Sequence, residues 1–436
     1  CELALESSTP PPDGGTGHGF GNAVAMDVGG LIVGAPWAGA DSTSPGEAWT
    51  YVPLAGGDDL WTSRQRLRSS TPVPASQFGA DVAQVGDRAL VGAIYEGADA
   101  DGGGIQSGAV HVFERLEPAG AFAHVQRLVP PNPTSLQIYG FGLSAWGAWL
   151  AVGSYNDDEG GLDAGAVFLY EWDVAVGQYV LRQKLLASDA SASAKFGVDT
   201  AMRDGLLVIG AFLDDPEGAV NSGSAYVFAL DESGVWSQTQ KLTSSPAVPG
   251  AWFGGRLAVS GSRLVATALG EVGVQRASGA AYVFHRSGEE WVQQERVEAP
   301  LGSSGSWFGS SVVASGATVT IGGRSMASEG VAGGVVCRFG FDGSAWGLDE
   351  QIHHSPPVGD ARFGESVAVS GGFTAIGSPG SGTITLLRRS DDCDSDGLDD
   401  DTQLDEGGSD CNGNLLIDAC ELASGSVTDV DGDGLI

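Results

Sequence analysis

The residues best equipped for chemistry lie towards the C-terminal end. Between residues 391 and 436 there are fifteen Asp and Glu and neither Lys nor Arg. Carboxylates so crowded repel one another unless a cation neutralises them. Their spacing is that of a calcium loop, in which oxygen ligands stand at positions 1, 3, 5, 7, 9 and 12 and a glycine at 6 makes the turn. Asp392, Asp394, Asp396, Leu398 through its carbonyl, Asp400 and Gln403 fill that frame around Gly397. A second frame takes Asp410, Asn412, Asn414, Leu416, Asp418 and Glu421, with Leu415 where glycine is usual. A third opens at Asp429, Asp431 and Asp433. The expected cofactor is Ca2+, and the competing reading is a solvated acidic tail.

Cys411 and Cys420 flank the second frame and are placed to staple it. Cys1 and Cys393 are further disulfide candidates, and the five cysteines leave one thiol free or paired between chains. Other acidic clusters sit upstream: Asp99 and Asp101; Asp157, Asp158 and Asp163; Asp214, Asp215 and Asn221. For these, calcium ligation and plain solvated turns both fit. Catalytic signatures are missing: there is no HExxH, GxSxG, P-loop or CxxCH, and the six histidines are scattered. With no visible convergent set of carboxylates or histidines, the chain reads as not an enzyme.

The formal net charge is −34, of which −19 remains once the fifteen tail acids are set aside. Such a surface repels nucleic acid and anionic membranes. No apolar run reaches membrane-spanning length, so neither nucleic acid nor membrane insertion is expected. Cysteines beside acidic segments point to an extracellular or cell-surface setting.

These sites must be positioned by a repeating framework. A Phe-Gly pair recurs at Phe20, Phe78, Phe141, Phe196, Phe253, Phe308 and Phe363, with gaps of 58, 63, 55, 57, 55 and 55 residues. Each pair opens a train of four short segments. In the fourth repeat these are FGVDTAM from Phe196, LLVIGAF from Leu206, SGSAYVFAL from Ser222 and VWSQTQKL from Val235. Apolar–polar alternation in the last two marks half-buried strands, and the first two are small and apolar as inner strands should be. Seven four-stranded units predict an all-β fold, a seven-bladed β-propeller followed by a small irregular calcium-binding tail.

VGAP at Val33, VGAI at Val91, IGAF at Ile209 and IGSP at Ile376 carry a resemblance to FG-GAP repeats, which build the propeller of integrin α chains and of bacterial surface proteins. The resemblance covers about Leu3 to Arg389. It implies a propeller over residues 1–390 and a calcium segment over 391–436. The integrin DxDxDG loop is absent, so integrin metal sites do not carry over. The tail segment resembles dockerin-like and thrombospondin type 3 calcium repeats. Thr267 replaces the second-strand glycine of the fifth repeat, so a distorted strand is expected there. The seventh repeat lacks a fourth strand, and Leu5 to Pro10 resembles the fourth-strand end Leu67 to Pro72. The N-terminus is therefore expected to close the ring.

The function expected is a calcium-stabilised extracellular structural or adhesive protein. Its partners would be other copies, another extracellular protein or a glycan. Glu2 and Cys1 repeat the end of the second frame, so a neighbour's N-terminus is expected to complete the third frame head-to-tail as a filament. The alternative is a carbohydrate-binding or ligand-binding propeller module of a larger secreted protein.

Overall fold

A computed structural model describes residues 4–9, 19–27, 30–38, 44–53, 61–97, 99, 105–115, 120–271, 278–300, 305–354, 356–370 and 372–388. Glu2, Cys1, Asp101 and every tail residue named above lie outside the described residues. Within them the chain forms seven four-stranded antiparallel sheets, the blades of a propeller. The fourth blade shows how sequence becomes structure. Its strands are Phe196–Arg203, Leu206–Ala211, Ser224–Leu230 and Trp236–Leu242, each paired to the next. Asp204 and Gly205, at φ of 51° and 73°, make the two-residue hairpin that Asp-Gly favours. The second strand is almost wholly buried because blades cover both its faces, whereas Trp236–Leu242 alternates buried ends with exposed middles.

Adjacent blades pack face to face. Val208, Val227 and Leu242 of blade four share one apolar cluster with Phe253, Leu264, Tyr282 and Trp291 of blade five. Close approach requires the glycine of the second strand: a Cβ on Gly210 would lie 2.0 Å from the Gly254 carbonyl oxygen of the next blade. Blade five departs from the expectation. Thr267 is fully buried in that position, yet strand Arg263–Ala268 keeps unbroken register from Arg263↔His285 to Ala268↔Ala280. The following blade's Gly309 leaves room for the threonine side chain, and Thr267 Oγ1 accepts the Arg256 N–H at 3.1 Å. The expected distortion does not occur.

Blade three corrects the repeat alignment. The chain reads Tyr139-Gly140-Phe141-Gly142, two aromatic–glycine pairs in tandem. Tyr139, not Phe141, pairs with Ser154 and bridges to Gly108, as Phe78 and Phe196 do in their blades. Tyr139 is fully buried with its hydroxyl 2.7 Å from Tyr170 Oη, which releases Phe141 towards the axis.

Blade seven is a composite. Ala4–Thr9 pairs antiparallel with Thr383–Arg388 (Leu5↔Leu387, Ser8↔Thr385), completing the sheet that the C-terminal part of the repeats leaves one strand short. Closure removes two exposed sheet edges. Glutamines staple the outer strands: Gln240 donates to the Trp291 carbonyl (2.9 Å) and accepts the Trp291 N–H (2.8 Å). Gln65, Gln126 and Gln183 repeat this reciprocal pair on Phe122, Tyr179 and Trp236. Trp61, Trp236 and Trp291 are buried core positions.

Candidate functional site

The innermost strands of all seven blades meet around one cavity of about 480 Å³ on the propeller axis. Residues among the first three after each aromatic–glycine pair line it, so a repeat position becomes a ring position. In most blades these side chains tie one blade to the next. Asn22 Nδ2 donates to the Ala80 carbonyl (3.0 Å), and Ser366 Oγ to the Gly21 carbonyl across the ring closure (2.8 Å). Ser311 Oγ donates to the Gly364 carbonyl at 2.9 Å.

Blades two, four and five place charges there. Asp81 accepts the Val82 N–H (2.9 Å) and, from blade three, the Leu143 N–H (2.8 Å). Asp199 accepts the Leu257 N–H of blade five at 2.7 Å. Arg256 donates from Nε to the Ser310 carbonyl and from Nη1 to the Gly255 carbonyl, with its guanidinium 5.8 Å from the Phe141 ring centre. Burial pushes the Asp199 carboxyl up to about 7, the nearby Asp81 charge adds to this, and Arg256 only partly offsets it. Burial likewise raises Asp81, against the Leu143 N–H and Arg256. At the opposite wall Arg324 Nη1 lies 2.8 Å from Glu365 Oε1 and stacks 4.6 Å from the Trp307 ring. Glu365 Oε2 is buried with no hydrogen-bond partner. Arg362 and Trp37 complete the charged and aromatic wall.

The rim has a second regularity. The residue before each aromatic–glycine pair is left-handed in every blade: Gly19, Gln77, Ile138, Lys195, Trp252, Trp307 and Arg362, with φ between 53° and 70°. A β-branched residue such as Ile138 rarely adopts this conformation, and strain of this kind concentrates at functional sites.

The acidic loops behave differently. Asp157 accepts Lys184 Nζ at 2.8 Å, and Asp214 accepts Lys241 Nζ at 2.7 Å, the Ser224 hydroxyl at 2.6 Å and the Tyr226 hydroxyl. Glu96 with Arg127 and Glu271 with Arg296 occupy the same place in blades two and five. Each is a buried carboxylate closed on a cation from the fourth strand of its own blade. Burial acts to raise Glu96, but the hydrogen bonds from His111 and Arg127 hold it below its usual range. Asp158 accepts the Asp163 N–H and Asp215 the Asn221 N–H, closing their loops, and Lys195 pairs with Asp163. Asp99 is exposed. Among the described residues no three acidic, histidine or cysteine side chains come together as a metal site. Cys337 is a buried free thiol.

Three comparisons bear on this geometry. The FG-GAP repeat family matches the chain over residues 8–51, 61–113, 179–228 and 236–284. The chain carries FG-GAP repeats and folds as a seven-bladed propeller. No curated protein matches it. Among solved structures, the FG-GAP propeller is similar to a candidate 6-phosphogluconolactonase from Bacteroides uniformis, at 12% identity and a TM-score of 0.51, over 80% of this chain and 87% of that one. At that identity the similarity shows the fold alone. It nevertheless overturns the expectation that the chain is not an enzyme, because a propeller of this build carries an enzyme's description. That expectation had also relied on finding no convergent carboxylates, and Asp81, Asp199 and Glu365 do converge on the axis. The sequence signal is present: Asp81 and Asp199 are the second residue after a repeat Phe-Gly, and Glu365 is the first. Among the described residues no helix is long and apolar enough to cross a membrane.

Proposed function

We propose that this FG-GAP propeller is a secreted or cell-surface module of the ligand-binding or adhesive type, and that its axial cavity takes a small polar ligand. The observation that carries this reading is the gathering of three arginines and three carboxylates around a cavity of about 480 Å³. That volume lies in the range of small-molecule sites, which combine apolar walls with a few placed polar groups. Perturbed carboxylates in a cleft point the same way. The test is calorimetry against a panel of small polar ligands with the parent and with Asn22→Trp, which fills the cavity. Binding lost in the filled, still-folded variant supports the reading, and binding retained there removes it.

The acidic segment is the second part of the proposal. Its alternating carboxylates would hold Ca2+ through Asp392, Asp394, Asp396 and Asp400, and through Asp410, Asn412, Asn414, Asp418 and Glu421. Ligation needs ionised carboxylates, so calcium should be released as the pH falls. A full-length chain that gives no calcium heat after chelator treatment would end this part.

A further inference from the structure

We infer that the axial cavity is built for an anionic sugar, a hydroxylated ligand whose carboxylate or phosphate rests on Arg362 and Arg324 while its hydroxyls meet Asp81, Asp199 and Glu365. The inference deepens the ligand-binding reading above and depends on it.

The basic residues are the first observation. The chain has 21 Lys plus Arg in 436 residues and a net charge of −34, yet three arginines line this one cavity. They are not equivalent. Arg256 is committed to two backbone carbonyls. Arg324 spends one edge on Glu365 and a face on Trp307, which fixes its guanidinium plane. The exposed Arg362 side chain makes no hydrogen bond or ion pair within the described residues, although its backbone is held left-handed at φ 56° and its carbonyl accepts the Glu365 N–H. A planar guanidinium fork matches carboxylate and phosphate oxygens in a bidentate way, which a neutral ligand would not use.

The acceptors are the second. Asp81 and Asp199 hold backbone N–H groups on one side and line the cavity on the other. Glu365 Oε2 is buried without a donor, with a side chain only 11% exposed. A buried carboxylate oxygen without a donor is costly, and a ligand hydroxyl supplies one. Phe141 and the 45%-exposed Trp37 give an apolar face for a sugar ring. The three guanidinium groups argue against a metal cation in the same space.

The test is calorimetry of the whole chain with D-glucuronate, D-glucose 6-phosphate and D-glucose, on the parent and on Arg362→Gln, with thermal melting to confirm folding. One or both anionic sugars should bind at least about tenfold tighter than glucose, and Arg362→Gln should remove most of that preference. Whichever of the two binds tighter identifies carboxylate or phosphate as the anion. Glucose binding as well as the anionic sugars, or a preference untouched by Arg362→Gln, overturns the inference while leaving a cavity that binds ligands. Binding of none of the three overturns the inference and counts against the cavity as a ligand site, a failure that the wider ligand panel with Asn22→Trp then confirms or reverses for that parent reading alone.

Discussion

Asp214 and Asp199 belong to the same blade and meet opposite fates. Asp214 is enclosed by Lys241, the hydroxyls of Ser191, Ser224 and Tyr226, and its own sheet, so its charge is satisfied locally. Asp199 faces the axis, where its partners are backbone N–H groups and a shared arginine, and its carboxyl is driven up to about 7. One acid stabilises a fold and the other is left poised. The lesson is that an acidic loop in the sequence is no guide to function until the nearest cation is known.

Removing the cation should separate the two most sharply. Lys241→Met leaves a nearly buried Asp214 carboxylate with hydroxyls alone, and should cost roughly 3 kcal/mol in denaturant unfolding. Asp199→Asn at the axis should cost less than about 1 kcal/mol at neutral pH, since the native acid already holds its proton there much of the time. Equal losses would show that the clasp and the axis are not distinct environments. A smaller effect is expected from the staples between blades. Gln240→Ala frees both the N–H and the carbonyl of Trp291 and should cost about 1–2 kcal/mol, with no effect on axial ligand binding.

The last comparison is one of sign, in how stability depends on pH. Between about 4 and 7 the native chain keeps the Asp199 proton that the unfolded chain has lost, so this group makes stability fall as pH rises. The stability of Asp199→Asn relative to the parent should therefore rise across that interval and level off above it. Glu96 acts the other way. Its lowered folded value contributes stability that is full above the ordinary glutamate range and is lost as pH falls through the folded value. Thermal melting of Asp199→Asn and Glu96→Gln against pH should give differences from the parent that slope in opposite directions.

The seven repeats, the four strands of each and the closing N-terminal strand were legible because they rest on local pattern: a Phe-Gly pair, alternation, and a fourth strand missing where another copy existed at the other end. Blade three was misread because two aromatic–glycine pairs compete locally, and only packing against Tyr170 and Gly108 chooses Tyr139. Thr267 looked disruptive because the residue that accommodates it, Gly309, lies one blade on. The axial cluster shows in the sequence only as shared repeat positions, and its convergence does not show at all. Asp81 and Glu365 are 284 positions apart (365 minus 81), and only a closed ring makes them neighbours. Conversely, Asp157 and Asp214 looked like metal ligands because the sequence does not display the lysines that fold back across the sheet.

The left-handed residue before each aromatic–glycine pair has a consequence for how such a chain can change. The backbone there takes one shape whether the side chain is absent, aliphatic, aromatic or cationic, as Gly19, Ile138, Trp252 and Arg362 show. Shape and chemistry are thus uncoupled at this repeat position. Where the side chain is exposed, as at Arg362, a new one can be fitted while the blades behind it stay as they are. Where it is enclosed, as at the 3%-exposed Ile138, or where a Cβ would meet Trp37, as at Gly19, the neighbours must move too. Selection can therefore rewrite what the mouth recognises at Arg362 at little cost to folding, and an engineer can do the same.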